Sequence, residues 1–236
     1  APGVTILSDV WWFKFYLAKT LQPLDELYSA AGIDRSDYVD VLFNEGVRKD
    51  VSYWVPFARS TPLFYYNKDI FAEVGLPDRG PETWDEFSEW APKIVKKDGS
   101  QLSRAAFVHP GAASYNAWIF QGITWQFGGA YSTPDFKMTM TDPKTVAAGQ
   151  FYGDTVNKEG WALFSADEET DFINGVAAAG IFSTGSMGGL LRDAKFKLGT
   201  AFLPKKEQFG CSTGGSGMAI LAGLPAEKQQ AAMKWI

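Results

Sequence analysis

The sequence predicts an α/β fold, on three observations. Short apolar strands alternate with helical segments along the whole chain, helix-start signals recur between them, and no internal repeat or low-complexity stretch interrupts the order. A chain of 236 residues, 46% of them hydrophobic, has room for one large domain or two small ones with a real core in each.

Each element has a local reason. Val4–Ser8 reads as a buried strand. An apolar-periodic helix covers Trp11–Tyr28, with Pro23 breaking it before Leu24-Asp25-Glu26-Leu27. The aromatic and β-branched runs Tyr53–Phe57 and Leu63–Tyr66 read as strands. Thr83-Trp84-Asp85-Glu86 has capping-box spacing and opens a helix that ends near Val95. Trp118–Phe127 is an apolar segment closed by Gly128-Gly129. Asp142 precedes Pro143 as a cap precedes a first-turn proline, predicting a helix that ends near Val156. Ser165-Ala166-Asp167-Glu168 is a second capping box, and its short helix stops at Gly175. Ala177–Phe182 is a small-residue strand that runs into Ser183-Thr184-Gly185-Ser186 and a helix over Met187–Ala194. Leu198–Leu203 is a strand stopped by Pro204. A glycine-rich turn, Thr213–Gly217, feeds the strand Met218–Leu221, and Pro225 opens a last helix. The chain starts on a strand and stops inside that helix without a cap, so it reads as a fragment of a longer protein or its ordered part.

Composition excludes several functions. Lys+Arg number 22 against 27 Asp+Glu, a formal net charge of −5, and no basic stripe suits nucleic acid. No apolar run approaches the ~20 residues of a membrane span. Ala1-Pro2-Gly3 leads directly into Val4-Thr5-Ile6-Leu7, without the pattern of a signal peptide. Cys211 is the one cysteine and His109 the one histidine, which disfavours a disulfide, a zinc site or a thiol–imidazole dyad. No nucleophile elbow, phosphate loop or dinucleotide fingerprint is present; Ser186 and Ser216 each lack one of the required glycines. The acidic run Asp167, Glu168, Glu169, Asp171 reads as first-turn complement to a helix dipole. As paired carboxylates it would support the alternative function, a carbohydrate-active hydrolase with an aromatic-lined site. Aromatic content is 15%, and rings serve both cores and the stacking of flat ligands.

Three stretches together resemble one family. The first is Ser60-Thr61-Pro62-Leu63-Phe64-Tyr65-Tyr66-Asn67-Lys68-Asp69-Ile70-Phe71, followed by Gly75-Leu76-Pro77 and Pro81–Glu86. The second is Phe172-Ile173-Asn174-Gly175-Val176-Ala177-Ala178. The third is Phe196–Pro204 with Gly214-Gly215-Ser216-Gly217. In this order they are similar to the family 1 extracellular solute-binding proteins, which include the maltose-binding protein. Ala58–Pro62, Ser183–Ser186 and Thr213–Gly215 resemble the glycerol-3-phosphate and glycerophosphodiester-binding branch.

The resemblance implies a type II periplasmic-binding-protein-like fold: two lobes joined by hinge strands, with the ligand in the interlobe cleft. The first lobe would comprise residues 1–63 and 201–236, and the second 64–200, with crossings near Leu63–Tyr66 and Leu198–Leu203. It implies the substrate-binding component of an ABC importer, a monomer without catalysis, cofactor or metal, lying in the periplasm or anchored as a lipoprotein. Its ligand would be glycerol-3-phosphate, a glycerophosphodiester or a sugar, and its partners ABC permease membrane subunits.

Candidate ligand contacts follow from motif and position together. Asp9 stands at a strand's carboxyl end, where open sheets bind ligands, and matches an acidic residue of the glycerol-3-phosphate binders; a helix cap is its other reading. Ser60 and Thr61 stand beside the first crossing, and the resemblance favours Ser60; Arg59 could grip a phosphate or simply lie at the surface. Trp118, after the loop 111–116, matches the family's stacking tryptophan. Trp125 lies seven residues on and reads as core; Trp11 and Trp12 are secondary candidates. Ser183, Thr184, Gly185 and Ser186 lie between a strand and a helix start, where amides and hydroxyls suit phosphate or sugar oxygens. Gly214 and Gly215 would let backbone amides approach the ligand.

Overall fold

The computed structural model describes residues 3–112 and 115–236. The chain forms two compact units: Ala1–Ser60 with Gly214–Ile236, and Thr61–Thr213. The sequence placed the corresponding divisions at 63/64 and 200/201. Both expected crossing segments lie within or beside strands of the second unit's sheet.

The first unit opens with β1 (Val4–Ser8), α1 (Trp12–Leu17), α2 (Asp25–Ala31) and α3 (Asp40–Asn44). A short hairpin, β2 (Val47–Arg48) and β3 (Val51–Ser52), precedes β4 (Val55–Ser60). The second unit runs β5 (Pro62–Asn67), α4 (Lys68–Glu73), α5 (Trp84–Ile94), a hairpin of β6 (Lys96–Asp98) and β7 (Gln101–Arg104), β8 (Phe107–Pro110), α6 (Asn116–Gln126) and α7 (Pro143–Asn157). It continues with β9 (Ala162–Ser165), α8 (Glu168–Ile173), β10 (Ala179–Ser183), α9 (Met187–Asp193) and β11 (Leu198–Ala201). The chain then re-enters the first unit as β12 (Gly214–Ile220) and α10 (Ala226–Trp235).

The first unit's sheet has the order β1-β12-β4, so its central strand comes from the far end of the chain. All its pairings are antiparallel. Successive β12 residues point to opposite faces. Ala219 joins Leu7, Trp12, Leu21 and Trp54 on one, and Ile220 joins Leu24, Tyr28, Phe43 and Met233 on the other. The second unit's sheet has the order β11-β5-β10-β8-β9, with β10-β8-β9 parallel and β5 antiparallel to both its neighbours. Helices cover both faces, as parallel strands require. Phe64 and Tyr66 of β5 pack with Trp84, Phe87, Phe107 and Trp161, while the intervening Tyr65 packs with Phe172, Phe182 and Leu190. Much of the aromatic excess is therefore core.

The α/β expectation is met, and several local expectations are corrected. The first helix ends at Leu17, not Tyr28: Lys19 adopts φ 56°, and Leu21 bridges to Leu221 before α2 begins. The amides of residues 18–20 still donate back into α1, whereas those of Gln22 and Leu24 donate to the strand carbonyls of Ile220 and Ser52. Thr83 caps α5 as predicted, its hydroxyl accepting from the Glu86 amide at 3.0 Å. The helix ends at Ile94, with Pro92 inside its last turn; the Val95 amide still bonds to the Ala91 carbonyl, and the chain turns extended at Val95, ψ 134°. At α8 the cap is Asp167, not Ser165, and Ser165 instead accepts the Asp167 amide at 3.0 Å. Gly214–Gly217 are strand, not turn. Glycine is required there by close approach: a Cβ on Gly215 would overlap the Ala58 carbonyl, and one on Gly217 would overlap the Trp54 ring. The expected loop 111–116 includes Ala113 and Ser114, which lie outside the described residues.

Candidate ligand-binding site

In the first unit, β-pairing brings five candidates together. Ser60 lies opposite Gly214 and Arg59 opposite Gly215. Asp9 follows β1 directly; its amide donates to the Gly215 carbonyl at 3.0 Å and its Oδ2 accepts the Gly215 amide at 3.2 Å. Asp9 Oδ2 also accepts from Arg59 Nη1 at 3.3 Å, and Oδ1 accepts from the Val10 amide at 2.9 Å. It does not cap α1, whose cap position is Trp11 with no side-chain bond. Arg59 pairs on its other side with Glu45. The guanidinium thus sits between two carboxylates, and its charge is already balanced. Trp12, 3% exposed, stacks on Trp54 at 5.4 Å and is a core residue, correcting its secondary candidacy. Trp11 is exposed.

In the second unit, a connected polar and aromatic group surrounds the end of β10. The Ser183 Oγ accepts the Gly185 amide at 3.0 Å, and its carbonyl accepts the Tyr65 hydroxyl at 2.9 Å. Thr184 and Thr61 exchange two bonds: the Thr61 amide donates to Thr184 Oγ1 at 3.1 Å, and the Thr184 amide to the Thr61 carbonyl at 2.9 Å. The Ser186 hydroxyl donates to Glu169 Oε1 at 2.5 Å, and the Tyr115 hydroxyl reaches the same oxygen at 3.3 Å. Tyr115 packs edge-on to Trp118 at 5.9 Å. Trp118 is half-buried at the margin of the larger core, and its carbonyl accepts the Ser212 hydroxyl at 2.9 Å. Trp118, Ser183, Thr184, Gly185 and Ser186 therefore belong to one neighbourhood through Tyr65, Tyr115 and Glu169. Trp125 flanks Gly210, whose added Cβ would sit 2.8 Å from the Trp125 Cβ.

Sequence reasoning did not single out Tyr65, Tyr115 or Glu169 for this neighbourhood. Glu169 was absorbed into the acidic first turn of α8, and only the fold brings it to Ser186, seventeen residues on. Burial and the Glu169 charge push the Tyr65 hydroxyl up to about 12. Burial, then Glu168 and Glu169, raise the Tyr115 hydroxyl further.

His109 and Cys211 do not form a thiol–imidazole pair. His109 is fully buried, its Nε2 bonded to Thr155 Oγ1 at 2.9 Å, so it is not available as a base to Cys211. Cys211 Sγ lies 3.8 Å from the Pro62 carbonyl, and burial raises its pKa, away from the thiolate form. Among the described residues, no three His, Cys, Asp or Glu side chains cluster to hold a metal, and no helix is long and apolar enough to cross a membrane.

Comparison with known proteins follows the same lines. The chain is 42% identical to UgpB from Mycobacterium tuberculosis, solved in complex with glycerophosphocholine, covering 100% of this chain and 59% of that one at a TM-score of 0.91. It is 27% identical to the sn-glycerol-3-phosphate-binding periplasmic protein UgpB of Pectobacterium atrosepticum, over 96% of this chain and 54% of that protein. Maltose-bound MalE3 of T. maritima, 24% identical, shares the fold at a TM-score of 0.83, with 100% and 61% covered. The chain thus spans about half the length of the curated relatives it matches. The model of the bacterial extracellular solute-binding protein family matches residues 2–236, and the chain belongs to that family.

Proposed function

We propose that this chain supplies the solute-recognising region of the binding component of an ABC importer, working outside the cytoplasmic membrane. It captures a small polar solute, of the glycerol-3-phosphate, glycerophosphodiester or sugar class, and hands it to the permease's membrane subunits. The observation that carries this reading is the 42% identity, along the whole chain, to a protein solved with glycerophosphocholine bound. Family members are binding proteins, which favours capture over the hydrolase alternative. Asp9, Ser60, Gly214 and Gly215 in one unit, and Trp118, Ser183, Thr184, Gly185 and Ser186 in the other, are the proposed ligand contacts. Rings give such a ligand a flat apolar support, while hydroxyls and a carboxylate meet its hydroxyl groups.

A thermal-shift and calorimetric screen of glycerol-3-phosphate, glycerophosphocholine and maltose on the full-length protein tests the proposal. One of the three should bind saturably, with the solute recovered unchanged. Recovery of a hydrolysis product would replace this reading with the hydrolase.

A further inference from the structure

Trp118 lies in the first turn of α6, and its ring has no polar anchor of its own. The indole N–H is buried without a hydrogen-bond partner among the described residues. The start of α6 also lacks a capping side chain: Tyr115, at the cap position, makes no bond to the helix, and its hydroxyl is turned to Glu169 instead. The first amides of a helix have no partner inside it, so an uncapped start frays readily. The place of the ring therefore depends on what grips that first turn. Three hydroxyl groups do, from three separate parts of the second unit, on three consecutive residues. Tyr152 of α7 donates to Asn116 Oδ1 at 2.7 Å. Tyr131, between α6 and α7, donates to the Ala117 carbonyl at 2.7 Å. Ser212, after β11, donates to the carbonyl of Trp118 itself at 2.9 Å. Tyr152 is 6% exposed and Ser212 1%, so neither offers surface to a solute.

Resting on the solute-capture reading above, we infer that Tyr131, Tyr152 and Ser212 are positioning residues for Trp118. Their hydroxyls hold the first turn of α6 so that the ring is in place before a solute arrives. A turn ordered in advance need not be ordered on binding, and that difference appears as affinity. The contact between a ring and a solute is also short-ranged, and a gap of less than an ångström already forfeits much of it. Both tyrosines remain donors at neutral pH: burial raises the Tyr152 hydroxyl above its ordinary range and pushes that of Tyr131 up to about 12.

The test removes one hydroxyl at a time from the full-length protein, by Tyr152→Phe, Tyr131→Phe and Ser212→Ala. Calorimetry uses whichever of glycerophosphocholine, glycerol-3-phosphate and maltose the wild type binds. Each substitution should weaken binding by about threefold to tenfold, the scale of one lost hydrogen bond. In a Trp118→Ala background the same substitutions should change affinity by less than about twofold, because they act through that ring. Losses of equal size with and without Trp118 overturn the inference and leave the three bonds as plain supports of the second unit. A second readout needs no solute. With fluorotryptophan in place of tryptophan, and the Trp118 resonance assigned by its loss in Trp118→Phe, Tyr152→Phe should shift or broaden that fluorine signal. The signals of Trp12 and Trp54, in the other unit, should stay in place. An unchanged Trp118 signal overturns the inference while leaving solute capture standing. If the wild type binds none of the three probes, the capture reading falls, and the fluorine signal alone decides whether the hydroxyls place the ring. Should Tyr152→Phe fail to fold, Ser212→Ala, which deletes the bond at the Trp118 carbonyl, gives the same readouts.

Discussion

Trp118 and His109 are both rings against the second unit's larger core, yet they stand in opposite situations. Trp118 lies at the margin, half-buried, with Tyr115 on its edge. Losing its ring removes flat apolar surface without opening the centre of the core. Trp118→Ala should therefore weaken ligand binding by at least about tenfold while the protein stays folded, as burial of an aromatic side chain stabilises by roughly 1.5–3 kcal/mol. Unchanged affinity by calorimetry would remove Trp118 from the site. His109 is sealed among Phe107, Tyr152 and Phe164, and burial pushes its pKa down to about 3. The native ring stays neutral, whereas the unfolded one binds a proton near pH ~6.5. The unfolded state thus gains protons first as pH falls, and stability declines from about pH 6.5 toward pH 3. Urea unfolding at pH 7 and pH 4 should show an extra loss of about 3 kcal/mol in the wild type that His109→Gln lacks. Equal losses in the two proteins would mean that this ring titrates in the native state.

At the scale of elements, the end of α6 is held by a side chain with no local signature. Gln126 is fully buried; its Oε1 accepts the Trp84 indole at 2.7 Å and its Nε2 donates to the Gly210 carbonyl at 2.8 Å. Its carbonyl accepts the Glu207 and Gln208 amides. One residue thereby ties α5, α6 and the segment after β11. Gln126→Leu would strand a buried donor and a buried acceptor, lowering stability by about 2–4 kcal/mol in denaturant titrations. A loss under about 0.5 kcal/mol would show that water replaces both bonds. Elements with a nearby chemical reason were legible: Thr83 before Glu86, Pro143 at a helix start, and Gly175 with φ 75° after α8. Gln126, Glu169 and His109 were not, because their roles depend on partners 17 to 84 residues away. The glycines of β12 misled for a related reason. Locally they signal a turn; in the fold they admit Ala58 and Trp54. In the candidate site, Asp9 and Ser60 were found by motif and strand position, while Tyr115 and Glu169 needed the tertiary structure.

At the scale of the molecule, the chain order of the two units is unequal. The second unit is one continuous stretch, Thr61–Thr213, and contains every strand of its five-stranded sheet. The first unit is interrupted, and its central strand β12 arrives only after residue 213. Periodicity could place the strands but not this interleaving, which came from the family resemblance. The two arrangements predict different fates for fragments. Residues 61–213 carry a two-sided core around Phe64, Phe107, Phe172 and Phe182, and should fold alone with a cooperative thermal transition. Residues 1–60 keep β1 and β4 without the strand that pairs with both, and lose Ala219, Ile220 and Met233 from their two cores. That piece should show no cooperative transition, because an isolated pair of strands is marginal in water. Adding 214–236 in trans, or joining it to residue 60 by a short Gly/Ser linker, should restore the transition. Cooperative melting of 1–60 alone would show that its local aromatic contacts, Trp12 on Trp54 above all, suffice without the sheet.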